Sequence, residues 1–390
     1  MEKTIIGIDI SMDDFHACVK IRTATGSIKI KGTRSFQNTA KGFEELLAWA
    51  LKRKKGKSMR FVMEATGVYY EDLAYFLHEN DQAVSVVLAN KIRNYTKSLN
   101  IKTKTDRVDS KVIAGFGIER NLEGWEPMSP QYKELRDLCR EMLSLKKEKQ
   151  RAGSQLHAME KSHNKHQSII DLKTEQIKFY EEAIGSLKKG IREAVGEDPD
   201  LKEKIRKVQT SPGLGFETIV ILACETNGFA LFKNIRQVVS YAGLDVSFNE
   251  SGKFTGKMRI SKKGNSRIRQ ALYMPALSAI QANEPIKEMY QRVCERNPDI
   301  KQKGVVAGMR KLLVLAYTLW KKNEEYDKGY KWGLETSGNE EIKPSFGQFC
   351  GAKKSGAYLA PHKIDFSSTY RPEPSFGHNK DKKITENIRI

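Results

Sequence analysis

Four carboxylates lie where strands end or helices begin, the places at which a fold can gather side chains. Asp9 belongs to the β-branched run Thr4–Ile10 and Glu64 closes Phe61-Val62-Met63-Glu64, ahead of Ala65-Thr66-Gly67. Asp106 and Asp109 are three apart at a helix start and so share a face. Four carboxylates converging at one sheet edge repel each other unless divalent ions neutralise them, and hard oxygen donors suit Mg²⁺ or Mn²⁺. The chemistry expected of such a site is metal-assisted attack on a phosphodiester. The plainer alternative is that Asp9 ends a strand, Glu64 is solvated and the Asp pair caps a helix. Asp13 and Asp14 read as turn residues, because they lack the apolar frame around the other four.

A second constellation is cationic. Gly252–Arg269 carries Lys253, Lys257, Arg259, Lys262, Lys263, Arg267 and Arg269 with no acidic residue, seven positive charges in 18 residues that suit phosphate contacts. Ser251, beside Gly252 and Lys253, and Ser261, in Arg259-Ile260-Ser261-Lys262-Lys263-Gly264-Asn265, lie within or beside it. A serine next to glycine, with cations to stabilise a pentacoordinate phosphate, can be a nucleophile, although an ordinary loop serine is the commoner reading. Ser261 and Asn265 count with the cations as candidate nucleic-acid contacts. So do Gly213 and Gly215 of Ser211-Pro212-Gly213-Leu214-Gly215, which has the form of a helix-hairpin-helix turn whose amides can approach a phosphate. A further basic cluster, Lys52–Arg60, has six cations in nine residues and reads as a solvated turn that also touches a nucleic-acid backbone.

The whole chain has 68 Lys+Arg against 48 Asp+Glu in 390 residues, a net charge of +20 and a pI near 9.5, so a polyanion is the natural partner. Apolar runs such as Thr218–Cys224 and Leu312–Trp320 fall far short of the roughly 20 residues a membrane span needs. Five scattered cysteines, never as C-x-x-C, indicate neither a disulfide framework nor a zinc ribbon, and the expected compartment is a reducing cytoplasm. Lys55-Gly56-Lys57-Ser58 is not a phosphate loop, since position 51 is Leu where that motif needs Gly. Gly213-Leu214-Gly215 lacks the third glycine of a dinucleotide fingerprint, and His163 and His166 lack partners at metal-ligand spacing.

The elements that must position these residues follow from periodicity. Strands are expected at Thr4–Ile10, Phe15–Ile21, Ser27–Lys31, Arg60–Met63 and Ala83–Leu88, with helices at Ala40–Arg53, Tyr70–Glu79 and about Asp106–Arg120. Three antiparallel strands followed by parallel strand–helix units make an α/β module with a mixed sheet and helices on both sides, residues 1–125. Residues 129–195 show apolar positions such as Leu135, Leu138, Met142 and Leu145 among Lys, Glu and Gln, the pattern of two long helices or a coiled-coil connector turning near Asn164. Residues 201–325 read as a mainly helical domain. Residues 326–390 hold 11 Leu, Ile, Val and Phe in 65 positions, too few for a core, and read as a weakly ordered extension.

Six motifs in this order carry a family resemblance: Ile6-Gly7-Ile8-Asp9, Met63-Glu64-Ala65-Thr66-Gly67-Val68-Tyr69, Lys104-Thr105-Asp106-Arg107-Val108-Asp109, Ser211–Gly215, Tyr241-Ala242-Gly243-Leu244 and Arg259–Asn265. The chain resembles the insertion-sequence one-ten family of DEDD transposases, which includes the Piv and MooV DNA invertases, over about Thr4–Glu324. The resemblance implies a RuvC-like, RNase H-type domain, a coiled-coil connector and a C-terminal transposase domain. It puts a Mg²⁺-binding tetrad on Asp9, Glu64, Asp106 and Asp109, and a serine nucleophile that forms a phosphoserine link to DNA on Ser251, with Ser261 the fallback. It further implies donor and target DNA, a structured bridge RNA that specifies both, a dimer or tetramer, and a bacterial or archaeal, nucleoid-associated setting. Competing readings are a RuvC-like junction nuclease without a covalent intermediate, a site-specific DNA invertase, and a basic coiled-coil packaging protein whose acidic residues are structural.

Overall fold

The computed structural model describes residues 2–329, apart from positions 55, 57, 104, 249, 252, 253 and 257. Lys253, Lys257 and nearly all of the expected C-terminal extension therefore lie outside the described residues, and the following concerns the compact unit that ends at Lys328.

Its N-terminal part is a mixed five-stranded sheet in the order β3-β2-β1-β4-β5, built from β1 (Lys3–Ile10), β2 (Asp14–Arg22), β3 (Ile28–Gln37), β4 (Ser58–Glu64) and β5 (Ala83–Val87). β1, β2 and β3 meander antiparallel, while β4 runs parallel to β1 and β5 parallel to β4. The alternation of side chains sorts the sheet residues into two cores. Ile6, Ile8, Ile10, Phe15, Ala17, Phe61 and Met63 pack under α1 (Ala40–Leu51) and α2 (Glu71–Glu79). Ile5, Cys18 and Val62 pack under α3 (Ala89–Ser98) and α4 (Asp106–Glu119). Two features depart from the sequence reading. β3 runs on to Gln37, six residues beyond the expected end, because its polar, mostly exposed residues need only the ladder to β2. α3 was not expected at all, since Ile92 and Tyr95 are its only buried residues.

One glycine sets how α4 lies on the sheet. A Cβ at Gly7 would stand 2.2 Å from the Ala114 amide nitrogen and 2.5 Å from the Ser110 carbonyl oxygen, so only glycine lets the helix backbone rest directly on β1. Thr105 caps α4 by accepting a hydrogen bond from the Val108 amide, which starts the helix at Asp106.

α5 (Pro130–Glu160) and α6 (Gln167–Gly196) form a helical hairpin whose connection, residues 161–166, contains Asn164. It begins with Ser129 capping and Pro130 in the first turn. Its buried residues concentrate near the base, at Leu135, Cys139, Met142, Leu143, Ile184, Ile191 and Val195, whereas Leu172 and Phe179 farther out stay exposed. The base joins a third core with α7 (Pro199–Gln209), α8 (Phe216–Glu225), α9 (Ile235–Tyr241), α10 (Ser266–Ala282), α11 (Glu284–Glu295) and α12 (Gln302–Lys322). Between α9 and α10, where little periodicity is present, the chain folds into two nested two-stranded ladders. β6 (Val246–Ser247) pairs with β9 (Arg259–Ile260), and inside them β7 (Glu250–Ser251) pairs with β8 (Phe254–Thr255). Among the described residues no helix is long and apolar enough to cross a membrane.

Candidate nucleic-acid-processing site

Asp9, Glu64, Asp106 and Asp109 all line one cavity of about 530 Å³ at the end of the sheet. The register explains the meeting. Ile8 pairs with Met63 across the parallel β1 and β4, so Asp9 and Glu64 follow at matching positions on neighbouring central strands. Alternation puts both on the face of Ile5 and Val62, the face that α4 covers. The helix then contributes Asp106, its first residue, and Asp109, both from its first turn. Two carboxylates in that turn also suit the positive end of the helix dipole.

Four hard oxygen donors on one cavity fit a divalent cation by chemistry and by location. As placed, however, no three His, Cys, Asp or Glu side chains among the described residues stand together as a finished metal cage.

The cavity holds residues that motif reading missed. His16 sits directly across β2 from Asp9 and lines the same space. Arg93, Thr96 and Lys97 of α3 form another stretch of its wall. Neither serine candidate lines it.

Ser251 is the exposed last residue of β7, next to positions 252 and 253, and pairs across the hairpin with Phe254. Ser261 is engaged differently. Its hydroxyl donates to the Asp245 carboxylate and accepts from the Lys263 amide, and its own amide donates to the Asp245 carbonyl, so it pins the outer ladder. Lys262 takes a left-handed conformation at φ 53° to complete that turn. Arg259 is exposed on β9 and Lys263 is exposed beside it. Arg269 donates to the Ala242 carbonyl at 2.8 Å and holds the loop from below.

The loop is anchored by a buried acid that the motifs did not reveal. Glu225 ends α8, and its side chain is 1% exposed. Arg140 of α5 grips it with two hydrogen bonds, Nε at 2.7 Å and Nη2 at 2.9 Å, while Asn265 donates from Nδ2 at 2.7 Å. Arg267 approaches within 3.9 Å, and the Tyr241 hydroxyl donates to the Glu225 carbonyl. Burial alone would raise the Glu225 carboxyl, but the hydrogen bonds from Arg140 and Asn265 and the charges of Arg140 and Arg267 outweigh it and hold the group below its ordinary value. Asn265 uses its other atom, Oδ1, to accept from the Arg267 and Ile268 amides and cap α10. A carboxylate closing the apolar run Phe216–Glu225 was the available signal, since a charge inside a core requires partners.

The turn between α7 and α8 divides its glycines. Gly213, at φ +95°, presses against α10, where a Cβ would meet that of Ala279 at 2.5 Å, whereas Gly215 faces open space. A second cavity, of about 590 Å³, is lined by Tyr70, Tyr75, Trp125, Arg136 and Tyr241. Two of the acids along it are already paired, Glu71 with Lys133 and Glu225 with Arg140, so it does not duplicate the carboxylate site.

Residues 6–163 match a model of DEDD transposases described as Transposase, and residues 205–291 match the Transposase IS116/IS110/IS902 family. The chain is 29% identical over 333 residues to the pilin gene-inverting protein of Moraxella bovis, covering 84% of this chain and 99% of that one. The protein of the same name from Moraxella lacunata matches to the same extent.

Proposed function

For a chain that belongs to the IS116/IS110/IS902 family of transposases, and is thus an enzyme of DNA transposition and recombination, we propose cutting and rejoining of donor and target DNA through a serine-linked intermediate. The observation that carries this reading is the placement of four carboxylates from β1, β4 and α4 on one cavity, together with an exposed serine on a separate basic hairpin. The sheet order and the position of the acids at its strand ends support a RuvC-like assignment. The α5–α6 hairpin supports a coiled-coil connector.

In the proposed reaction Asp9, Glu64, Asp106 and Asp109 hold Mg²⁺ or Mn²⁺, which when bound offsets their repulsion and polarises a phosphoryl oxygen. Ser251 Oγ forms a bond to phosphorus as a deoxyribose oxygen leaves carrying the proton that the serine gave up. The hydroxyl of the incoming strand reverses the exchange and frees the serine. Ser251 fits this role better than Ser261, whose hydroxyl is occupied by Asp245 and by the Lys263 amide. Because Ser251 does not line the carboxylate cavity, the proposal has the two halves meet between protomers of a dimer or tetramer. A net charge of +20 supports backbone binding of both DNA and a structured bridge RNA, with base pairing supplying sequence choice. One observation favours a second reading, site-specific inversion. The match to the pilin gene-inverting proteins spans 99% of their length, leaving little of them unmatched.

The test is a denaturing gel of the protein with labelled donor and target DNA, Mg²⁺ and RNA transcribed from the flanks of its gene. A protease-sensitive DNA band should form with wild type and Ser261→Ala and vanish with Ser251→Ala. Cleavage that survives Ser251→Ala without any such band would leave a nuclease that uses the carboxylates alone.

A further inference from the structure

The carboxylate cavity has a cationic wall. α3 is fastened by Ile92 and Tyr95, both buried, with the Tyr95 ring meeting Phe116 of α4 edge-on at 5.3 Å. That anchoring turns Arg93 and Lys97, one helical turn apart, toward the space that the four acids line. Both cations are exposed, and among the described residues neither side chain takes part in an ion pair or hydrogen bond, although five acids, Asp14 included, border the same cavity. Cations whose task was to offset those acids would be paired with them. Left unpaired across a cavity from an acidic cluster, they suit an anion that lies between the two walls.

We propose that Arg93 and Lys97 are phosphate-binding residues that grip the backbone of the nucleic-acid strand presented to the carboxylates. The assignment rests on the cavity's being the phosphodiester site, and it names the surface that holds the substrate there. The two walls divide the work. The acids, once loaded with a hard cation, face one phosphate, and α3 holds its neighbours through charge. Arg93 brings a planar fork of donors and Lys97 a point charge, so the first can fix orientation and the second mainly adds attraction. Both contacts go to the backbone and are indifferent to base sequence.

Salt dependence of equilibrium binding reads this directly. The full chain is titrated into labelled duplex DNA of unrelated sequence, with Ca²⁺ in place of Mg²⁺ to neutralise the acids, and affinity is followed by fluorescence anisotropy across a range of salt. Each lost phosphate contact reduces the slope of log affinity against log salt by about 0.9. Arg93→Ala and Lys97→Ala should each lose about that much and the double variant about twice as much, while Arg93→Lys keeps most of the slope. All should melt like wild type, since neither side chain has a partner to lose. If the alanine variants melt early, Arg93→Gln and Lys97→Gln replace them, keeping length without charge. A folded double variant with the wild-type slope would overturn the proposal. The parent reading fails separately: cleavage unaffected by Asp9→Asn would remove the carboxylates from the chemistry without moving any of these slopes.

Discussion

Glu225 shows how much of this protein's organisation rests on single long-range choices. Its carboxylate is buried and bound by Arg140 from the arm and Asn265 from the start of α10, so one group ties the hairpin base to the end of the basic loop. Removing one partner from a buried pair costs about 3–5 kcal/mol, because the other charge loses its compensation. Arg140 is 36% exposed and can turn partly to water, so Glu225→Ala should fall at the lower end of that range in urea unfolding. The pH dependence has a definite sign. The folded carboxyl titrates below its ordinary 4.5, so its contribution is fully present above that pH and is lost as pH falls through the lower folded value. The stability gap between wild type and Glu225→Gln should therefore be wide near neutrality and narrow in acid. Sequence reading could place the four cavity acids because each is marked locally by a strand end or a helix start. It could not place Glu225, whose Arg140 partner lies 85 residues away and has no marker of its own.

At the scale of elements, the seat of α4 on β1 decides whether the acids share a cavity. Gly7 permits it, sharing its sheet face with Asp9, while its neighbours Ile6 and Ile8 both point into the opposite core. A methyl group at position 7 would press on the backbone of α4 at Ser110 and Ala114, which rotation of a side chain cannot relieve. Overpacking of this kind costs typically about 1–3 kcal/mol, and a backbone obstacle favours the upper end. Gly7→Ala should lower the denaturation midpoint by that measure. It should also lift Asp106 and Asp109 away from Asp9, weakening any stabilisation by divalent ions more than its effect on folding alone would. The strands and helices with strong periodicity, β1, α1 and α4, were legible in the sequence. α3 was not, because two anchoring residues in ten give no amphipathic signal, and the hairpin strands between α9 and α10 are too short to show alternation.

Across the whole molecule the charge is divided against its average. The chain carries +20, yet the cavity at the end of the sheet collects Asp9, Glu64, Asp106 and Asp109. Like charges gathered in one place repel each other, and a divalent ion held between them offsets that repulsion. A divalent ion that binds only the folded protein adds stability as RT ln(1 + [L]/Kd), which is about 2.7 kcal/mol at a hundredfold excess over Kd. Two consequences follow for thermal melting of the full chain. Mg²⁺ or Mn²⁺ should raise the wild-type Tm in a saturable way, whereas a monovalent salt at equal ionic strength should not reproduce the shift. Asp9→Asn should lose most of that rise, since it removes one of the four donors that line the cavity. A metal-dependent rise that Asp9→Asn loses is what a purely structural Asp9 would not produce. A strand-ending or solvated aspartate would give parallel curves, and parallel curves would take the metal out of the proposed reaction.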